Sequence, residues 1–323
     1  MKIYHTLEDF TKLNYGVVTS GTFDGVHVGH QQILNRLKEI ANKNGGETVV
    51  ITFWPHPRLI LRPEEPFMKL LNTFEEKAEL LRLQGINHLL RIPFTKEFSQ
   101  ISSQEFISKI LVETIGTKKL VIGYDHRFGK NREGSFEQLS LNAPTYGFDV
   151  EEIPRQDVDH VGVSSTRIRK ALGEGDIDTA NHFLGRPYSL SGRVIKGDKL
   201  GRVLGFPTAN IDLDSHDKLV PAEGIYAVSV TYERKEYGGM LYIGTRPTVD
   251  GTKRSIEVNI FEFNKEIYGE TLQLSFLKLL RSDSKFEDLE SLKIQLQQDK
   301  ESALKTLKDL LQPHPQPFSQ GEG

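Results

Sequence analysis

Gly21-Thr22-Phe23-Asp24-Gly25-Val26-His27-Val28-Gly29-His30 is the stretch on which the fold turns. An apolar run, Tyr15-Gly16-Val17-Val18, leads into it, and apolar residues at helical spacing (Ile33, Leu34, Leu37, Ile40, Ala41) follow it. The pattern predicts a strand that hands over to a helix N-terminus, with two imidazoles three residues apart at the junction. Free backbone N–H groups and the positive end of the helix dipole make such a junction a place for an anion such as phosphate. Residues at i and i+3 share one side of a helical turn, so His27 and His30 can both reach one phosphate.

Working outward, the first half alternates strands and helices. Strands are expected at 16–20, 48–53, 88–92, 120–123 and 148–153. Capping boxes at Thr73/Glu76 and Ser102/Glu105 open two of the helices between them. Repeated βαβ order predicts a parallel, Rossmann-like sheet that binds ligands at the carboxyl ends of its strands. Helical segments follow at 164–172 and 176–184. From Tyr188 the period changes: Gly, Pro and Asp interrupt the chain about every ten residues, and alternating runs lie at 225–230, 239–243, 256–261 and 272–277. That spacing predicts an antiparallel barrel. One long amphipathic helix is expected over 286–311. The division expected is 1–183, 184–311 and a disordered Pro-, Gln- and Gly-rich tail, 312–323.

Composition bounds the function. A chain of 323 residues with 37% hydrophobic and 26% charged residues is long enough for two domains with real cores. Its 41 basic and 44 acidic residues leave a net charge of −3, with no basic footprint for nucleic acid. There is no cysteine, which excludes disulfides, thiolate nucleophiles and Cys-based zinc sites. No signal-like or membrane-spanning apolar run is present. A cytoplasmic protein without a membrane or nucleic-acid partner is expected, and a homo-oligomer is compatible with the sequence.

Adenylyl transfer builds negative charge on an α-phosphate, which positioned imidazole donors would stabilise, and Gly25 and Gly29 let the backbone approach closely. The competing reading is two surface histidines at a helix start; zinc lacks an evident third ligand. Val163-Ser164-Ser165-Thr166-Arg167-Ile168-Arg169 places hydroxyls, helix N–H groups and a guanidinium together, which suits a triphosphate and equally suits plain N-capping. Val121-Ile122-Gly123-Tyr124-Asp125-His126-Arg127-Phe128-Gly129-Lys130 ends a strand in a polar loop. Phe53-Trp54-Pro55-His56-Pro57 closes another with aromatics fit for stacking on a flat ring, or for packing under a loop.

In the second half, Ser191-Gly192-Arg193-Val194-Ile195-Lys196-Gly197-Asp198-Lys199-Leu200-Gly201-Arg202-Val203-Leu204-Gly205-Phe206-Pro207-Thr208-Ala209-Asn210 reads either as a phosphate-wrapping loop or as a β-hairpin with a basic turn. Thr208 and Asn210 project the same way from an extended segment and offer neutral oxygens to Mg²⁺. Glu257 stands in Ser255-Ile256-Glu257-Val258-Asn259-Ile260, sharing a face with Asn259. Placed inside a small barrel it would need a partner or a task, such as taking a proton from an attacking hydroxyl. On strand pattern alone it is a solvent-facing glutamate.

Taken together, these segments resemble the prokaryotic bifunctional riboflavin kinase/FAD synthetase family. Residues 1–183 are similar to its H-x-G-H adenylyltransferase module through GTFDGVHVGH, FWPHP, VIGYDHRFGK and SSTRIR. Residues 185–310 are similar to its kinase module through GRPYSLSGRVIKGDKLGRVLGFPTAN, YIGTRPTVDG and IEVNIFEFNKEIYGE. His126 stands where the family more often has phenylalanine. The resemblance implies a six-stranded flavokinase barrel. It also implies that riboflavin and ATP give FMN and ADP, and that FMN and a second ATP give FAD and pyrophosphate. It implies catalytic roles for His27, His30 and Glu257, and ATP contacts from Gly21, Phe23, Asp24, Gly29, Ser165, Thr166, Arg169, Lys196, Gly197, Thr208 and Asn210. Thr208 and Asn210 would hold Mg²⁺ with the ATP phosphates. Phe53, Pro55, Pro57, Asp125 and Arg281, the last in a loop after the final strand, would seat flavin. Two rivals stay open: a nucleotidyltransferase for another phosphorylated vitamin, and a flavin-binding sensor without chemistry.

Overall fold

The computed structural model describes residues 1–63, 68–124, 127–130, 133–154, 162–197, 200–248 and 251–311. Asp125, His126 and the expected disordered tail at 312–323 lie outside the described residues. By contacts the chain divides into two units. The first comprises Met1–Ile168, Phe183–Gly185 and Asp217–Leu219; the second comprises Arg169–His182, Arg186–His216 and Val220–Gly323. This division by contacts does not fall at the expected 183/184.

The first unit is built on six strands: β1 (Lys2–Tyr4), β2 (Gly16–Ser20), β3 (Glu47–Trp54), β4 (His88–Pro93), β5 (Thr117–Gly123) and β6 (Asp149–Ile153). Their order is β1-β4-β3-β2-β5-β6, and every pairing is parallel. Successive residues alternate between the two faces, as strand geometry requires. Val18, Ile51, Leu90, Leu120 and Ile122 pack on one side and Val17, Val50, Leu89 and Val121 on the other. Helix α1 (Val28–Asn44), α2 (Pro57–Leu61) and α3 (Phe74–Leu83) come from the first half of the unit. The apolar stripes of α1 and α3 cover the Val17 face. Short α4 (Ser103–Glu105) runs on as a π-helical segment, Phe106–Ile115, which the apolar spacing did not announce. Together with α5 (Phe136–Tyr146) it covers the Val18 face. The chain runs from β2 through β3 to β4 on one side, then returns to place β5 and β6 on the other. The switch point therefore lies at the carboxyl ends of β2 and β5, where such sheets bind ligands.

Helices α6 (Ser165–Glu174) and α7 (Ile177–Leu184) follow. In the second unit, β7 (Tyr188–Ile195), β8 (Ala209–Leu213), β9 (Gly224–Tyr232), β10 (Lys235–Thr248), β11 (Gly251–Ile260) and β12 (Thr271–Arg281) close a barrel in the order β10-β11-β8-β7-β12-β9, antiparallel throughout. The hairpin reading of 191–210 describes the backbone here: β7 and β8 pair, and α8 (Leu200–Val203) lies in the connection. Leu190, Val194, Tyr226, Val228, Leu241, Val258, Leu274 and Phe276, all nearly or fully buried, take the inward positions of the strands. On the outward side, Ile225, Ala227, Met240 and Tyr242 meet Phe206, Phe261 and the apolar residues Leu292, Leu296, Ala303 and Leu307 of the long helix α9 (Leu289–Leu311).

Candidate active sites

In the first unit, residues 21–30 leave the carboxyl end of β2 at the switch point. Phe23 and Val26 hold positive φ angles of 47° and 40°, strained for bulky residues, and both are buried. Between them Gly25 takes φ 87°, and a Cβ there would lie 2.7 Å from Leu71 Cδ1. His27 caps α1: its Nδ1 accepts the His30 backbone N–H at 3.3 Å. In the neutral ring this leaves the proton on Nε2 as a donor. The two imidazoles stack 3.7 Å apart, interplanar angle 15°, and Phe23 flanks His30 at 4.9 Å. Ser165 joins them, donating from Oγ to the Asp24 carbonyl at 2.8 Å, whereas Thr166 is exposed and Arg169 groups with the second unit.

Asp24 is 2% exposed, and its carboxylate accepts the backbone N–H groups of Leu71 (3.0 Å) and Asn72 (3.3 Å). Its side chain thus anchors the turn to the lead-in of α3. Lys77 is the residue that sequence reasoning missed. Its Nζ donates to the Thr22 carbonyl at 2.7 Å and to Thr52 Oγ1 at 3.3 Å, and stands 5.4 Å from the Trp54 ring centre. Burial lowers its pKa to about 8, against an opposing pull from Asp24. The signal was present: Phe74, Lys77, Ala78 and Leu81 follow one helical stripe, so periodicity places this lysine on the buried face.

At the end of β3, Phe53 packs edge-on to Phe94 (5.9 Å) and near Phe98 (5.9 Å). Pro55 follows a cis peptide, and Pro57 opens α2 behind an N-cap at His56.

In the second unit, Glu257 lies opposite Asn210 in the β11–β8 register and opposite Tyr242 in the β11–β10 register. Tyr242 is outward-facing, so Glu257 sits on the outside of the barrel. Of the two alternatives, the outward one read from the strand pattern describes its face, and the interior one does not. A six-stranded barrel is narrow, and aliphatic and aromatic side chains fill it. The partner expected of Glu257 is nonetheless found: Thr208 Oγ1 donates to Oε2 at 3.2 Å and Ser255 Oγ donates to Oε1 at 2.9 Å. Gly197 lies against Asn210 so closely that a Cβ would collide with its amide, and Lys196 is exposed beside it. Thr208, Asn210, Ser255 and Glu257 therefore form one oxygen-rich cluster on one face. Arg281 is the last residue of β12, not part of the following loop as expected. Its guanidinium is held by Asp299 of α9 at 2.8–3.1 Å, because a buried carboxylate there requires a cation.

Among the described residues no group of three or more His, Asp or Glu side chains is arranged to hold a metal. The hard, neutral oxygens of Thr208 and Asn210 fit a magnesium ion that takes most of its shell from phosphate and water. No helix among them is long and apolar enough to cross a membrane.

Comparison with known proteins shows the family of the chain. The FAD synthetase family model matches residues 10–167 and the riboflavin kinase model matches residues 184–307. A bifunctional riboflavin kinase/FMN adenylyltransferase of Listeria monocytogenes is 38% identical over 92% of this chain and 93% of its own length. That of Escherichia coli K12 is 36% identical over 89% and 91%. A crystal structure named as a macrolide-efflux protein from Streptococcus pneumoniae matches with TM-score 0.85 and 31% identity, over 94% of this chain and 98% of that one. The chain belongs to the family of bifunctional riboflavin kinase/FMN adenylyltransferases.

Proposed function

We propose that the two reactions of this family run at the two clusters just described, with residues 1–183 as the FMN adenylyltransferase domain and 184–311 as the riboflavin kinase domain. The chain phosphorylates riboflavin with ATP to give FMN, and adenylylates FMN with ATP to give FAD and pyrophosphate. One observation carries the assignment: the stacked His27/His30 pair and the Thr208–Glu257–Ser255 cluster belong to different compact units, each with its own motif set.

In the kinase reaction Glu257 takes the proton of the ribityl 5′-hydroxyl as that oxygen attacks the γ-phosphorus, and ADP leaves. Thr208 and Ser255 hold the carboxylate's two oxygens, so it enters the reaction already oriented. Gly197 admits the backbone close to the phosphates, with Lys196 adding positive charge. Thr208 and Asn210 would hold Mg²⁺, which when bound screens phosphate repulsion and offsets charge on the leaving group.

In the adenylyl transfer a phosphate oxygen of FMN attacks the α-phosphorus of ATP, and the bond to pyrophosphate breaks. His27 Nε2–H and the His30 imidazole offer hydrogen bonds to the charge that builds on the α-phosphate, backed by the α1 N-terminus. Gly21, Phe23, Asp24 and Gly29 shape the turn around the nucleotide, and Ser165, Thr166 and Arg169 serve its distal phosphates. Phe53, Pro55, Pro57, Asp125 and Arg281 remain assigned to flavin, and a cytoplasmic location completes the reading.

Following riboflavin, FMN and FAD over time with Mg-ATP tests it. His30→Ala should cut FAD formation by about 10²–10³-fold and let FMN accumulate. Glu257→Gln should slow riboflavin phosphorylation by about 10²–10⁴-fold while supplied FMN is still adenylylated. Equal loss of both activities in either variant contradicts the assignment.

A further inference from the structure

Lys218 stands apart from every motif above. In the chain it lies between β8 and β9, beyond residues 10–167 that match the FAD synthetase model, yet by contacts Asp217–Leu219 belongs to the first unit. The Leu70 N–H donates to the Asp217 carbonyl (2.6 Å), and the Leu219 N–H donates to the Leu70 carbonyl (2.8 Å). Leu70 and Lys218 thereby form a short parallel bridge. Lys218 Nζ then donates to the Leu71 carbonyl at 2.8 Å and to Glu76 Oε2 at 2.5 Å, and its side chain is 2% exposed.

Both acceptors support the phosphate turn. The Leu71 N–H is the group that Asp24 accepts, so the carbonyl and amide of one residue are gripped from two sides. Glu76 Oε2 also accepts the Thr73 N–H and so caps α3, the helix from which Lys77 reaches the Thr22 carbonyl. One buried ammonium therefore braces both the peptide behind Asp24 and the helix behind Thr22. A segment that only connected two strands would have no use for a buried charge, since an apolar side chain packs at less cost.

We propose that Lys218 is a positioning residue for adenylyl transfer: it holds the Thr22–Asp24 turn, and with it His27 and His30, in the arrangement that meets the α-phosphate. This rests on the role given above to the two histidines. The test uses full-length Lys218→Met with FMN and Mg-ATP. The turnover number for FAD formation should fall about tenfold or more, with KM for ATP changed less than about threefold, because misaimed donors cost the transition state rather than ground-state binding. Riboflavin phosphorylation should stay within about twofold of wild type, and Lys218→Arg should recover much of the lost turnover.

Unchanged FAD turnover in Lys218→Met, parallel loss of both activities, or failure of Lys218→Arg to recover would each overturn the proposal. Should Lys218→Met not fold, Glu76→Gln, which removes the ion pair but keeps an acceptor for Thr73, must show the same selective loss of turnover; normal turnover there also overturns it. His30→Ala assayed in parallel separates the two levels. If it still makes FAD, the reading of the histidine site has failed. If it is inactive while Lys218→Met is normal, the inference on Lys218 alone has failed.

Discussion

Lys77 shows how much a single side chain can be asked to do. Its ammonium is buried against the Thr22 carbonyl, and burial brings its pKa to about 8, below the ordinary 10.5. Between those two values the unfolded chain binds more protons than the native one, so native stability rises with pH across that window. The rise is on the order of 3 kcal/mol, from about 1.4 kcal/mol per unit. Lys77→Met should flatten it: urea unfolding from pH 7.5 to 11 would show the wild type gaining stability relative to the variant, and parallel curves would contradict the charge's burial. The same scale shows where residue types were legible and where their surroundings were not. His27 and His30 stand at the strand-to-helix junction that their spacing predicted. The Asp24 carboxylate accepts the amides of Leu71 and Asn72, partners 47 and 48 residues on that no local pattern reveals. For Glu257 the sequence leaves interior and outward placements open, because alternation fixes which residues share a face, not which face turns inward.

At the scale of elements, α3 carries the most consequence for its length. It starts with a reciprocal capping box, Thr73 accepting the Glu76 N–H while Glu76 accepts the Thr73 N–H. Thr73→Ala should lower the stability of the full chain's first unfolding step by about 1 kcal/mol. A denaturant midpoint unmoved within error would show that the tertiary contacts of Glu76 and Lys77 hold the helix start unaided. Both boxes were visible in the sequence, because a cap is a local affair of four residues. So were the five longer strands of the parallel sheet; β2 to β5 carry apolar runs because both faces are covered, whereas edge strand β6 reads Asp149-Val150-Glu151-Glu152-Ile153. One strand escaped: β1 is only three residues long at a sheet edge. β7 and β8 were legible only as the arms of the hairpin reading of 191–210, without bounds of their own. The π-helical turn pattern of Phe106–Ile115 has no counterpart in apolar spacing, which serves either kind of helix.

For the whole molecule, one chain holds two kinds of phosphate chemistry on two architectures. The parallel sheet supplies a helix N-terminus, suited to charge building on an α-phosphate. The barrel supplies a carboxylate held by two hydroxyls, suited to removing a proton from an alcohol. Neither depends on a Walker-type loop, and the product of the second is the substrate of the first. If the sites are independent, damage to one must be curable by an intact copy of the other. The most direct measurement mixes His30→Ala with Glu257→Gln at equal concentration, supplies riboflavin and Mg-ATP, and follows FAD. The account predicts little or no FAD from either variant alone, and after a lag of FMN build-up, FAD from the mixture. A mixture as inactive as its components, with both variants folded, would contradict two separable sites.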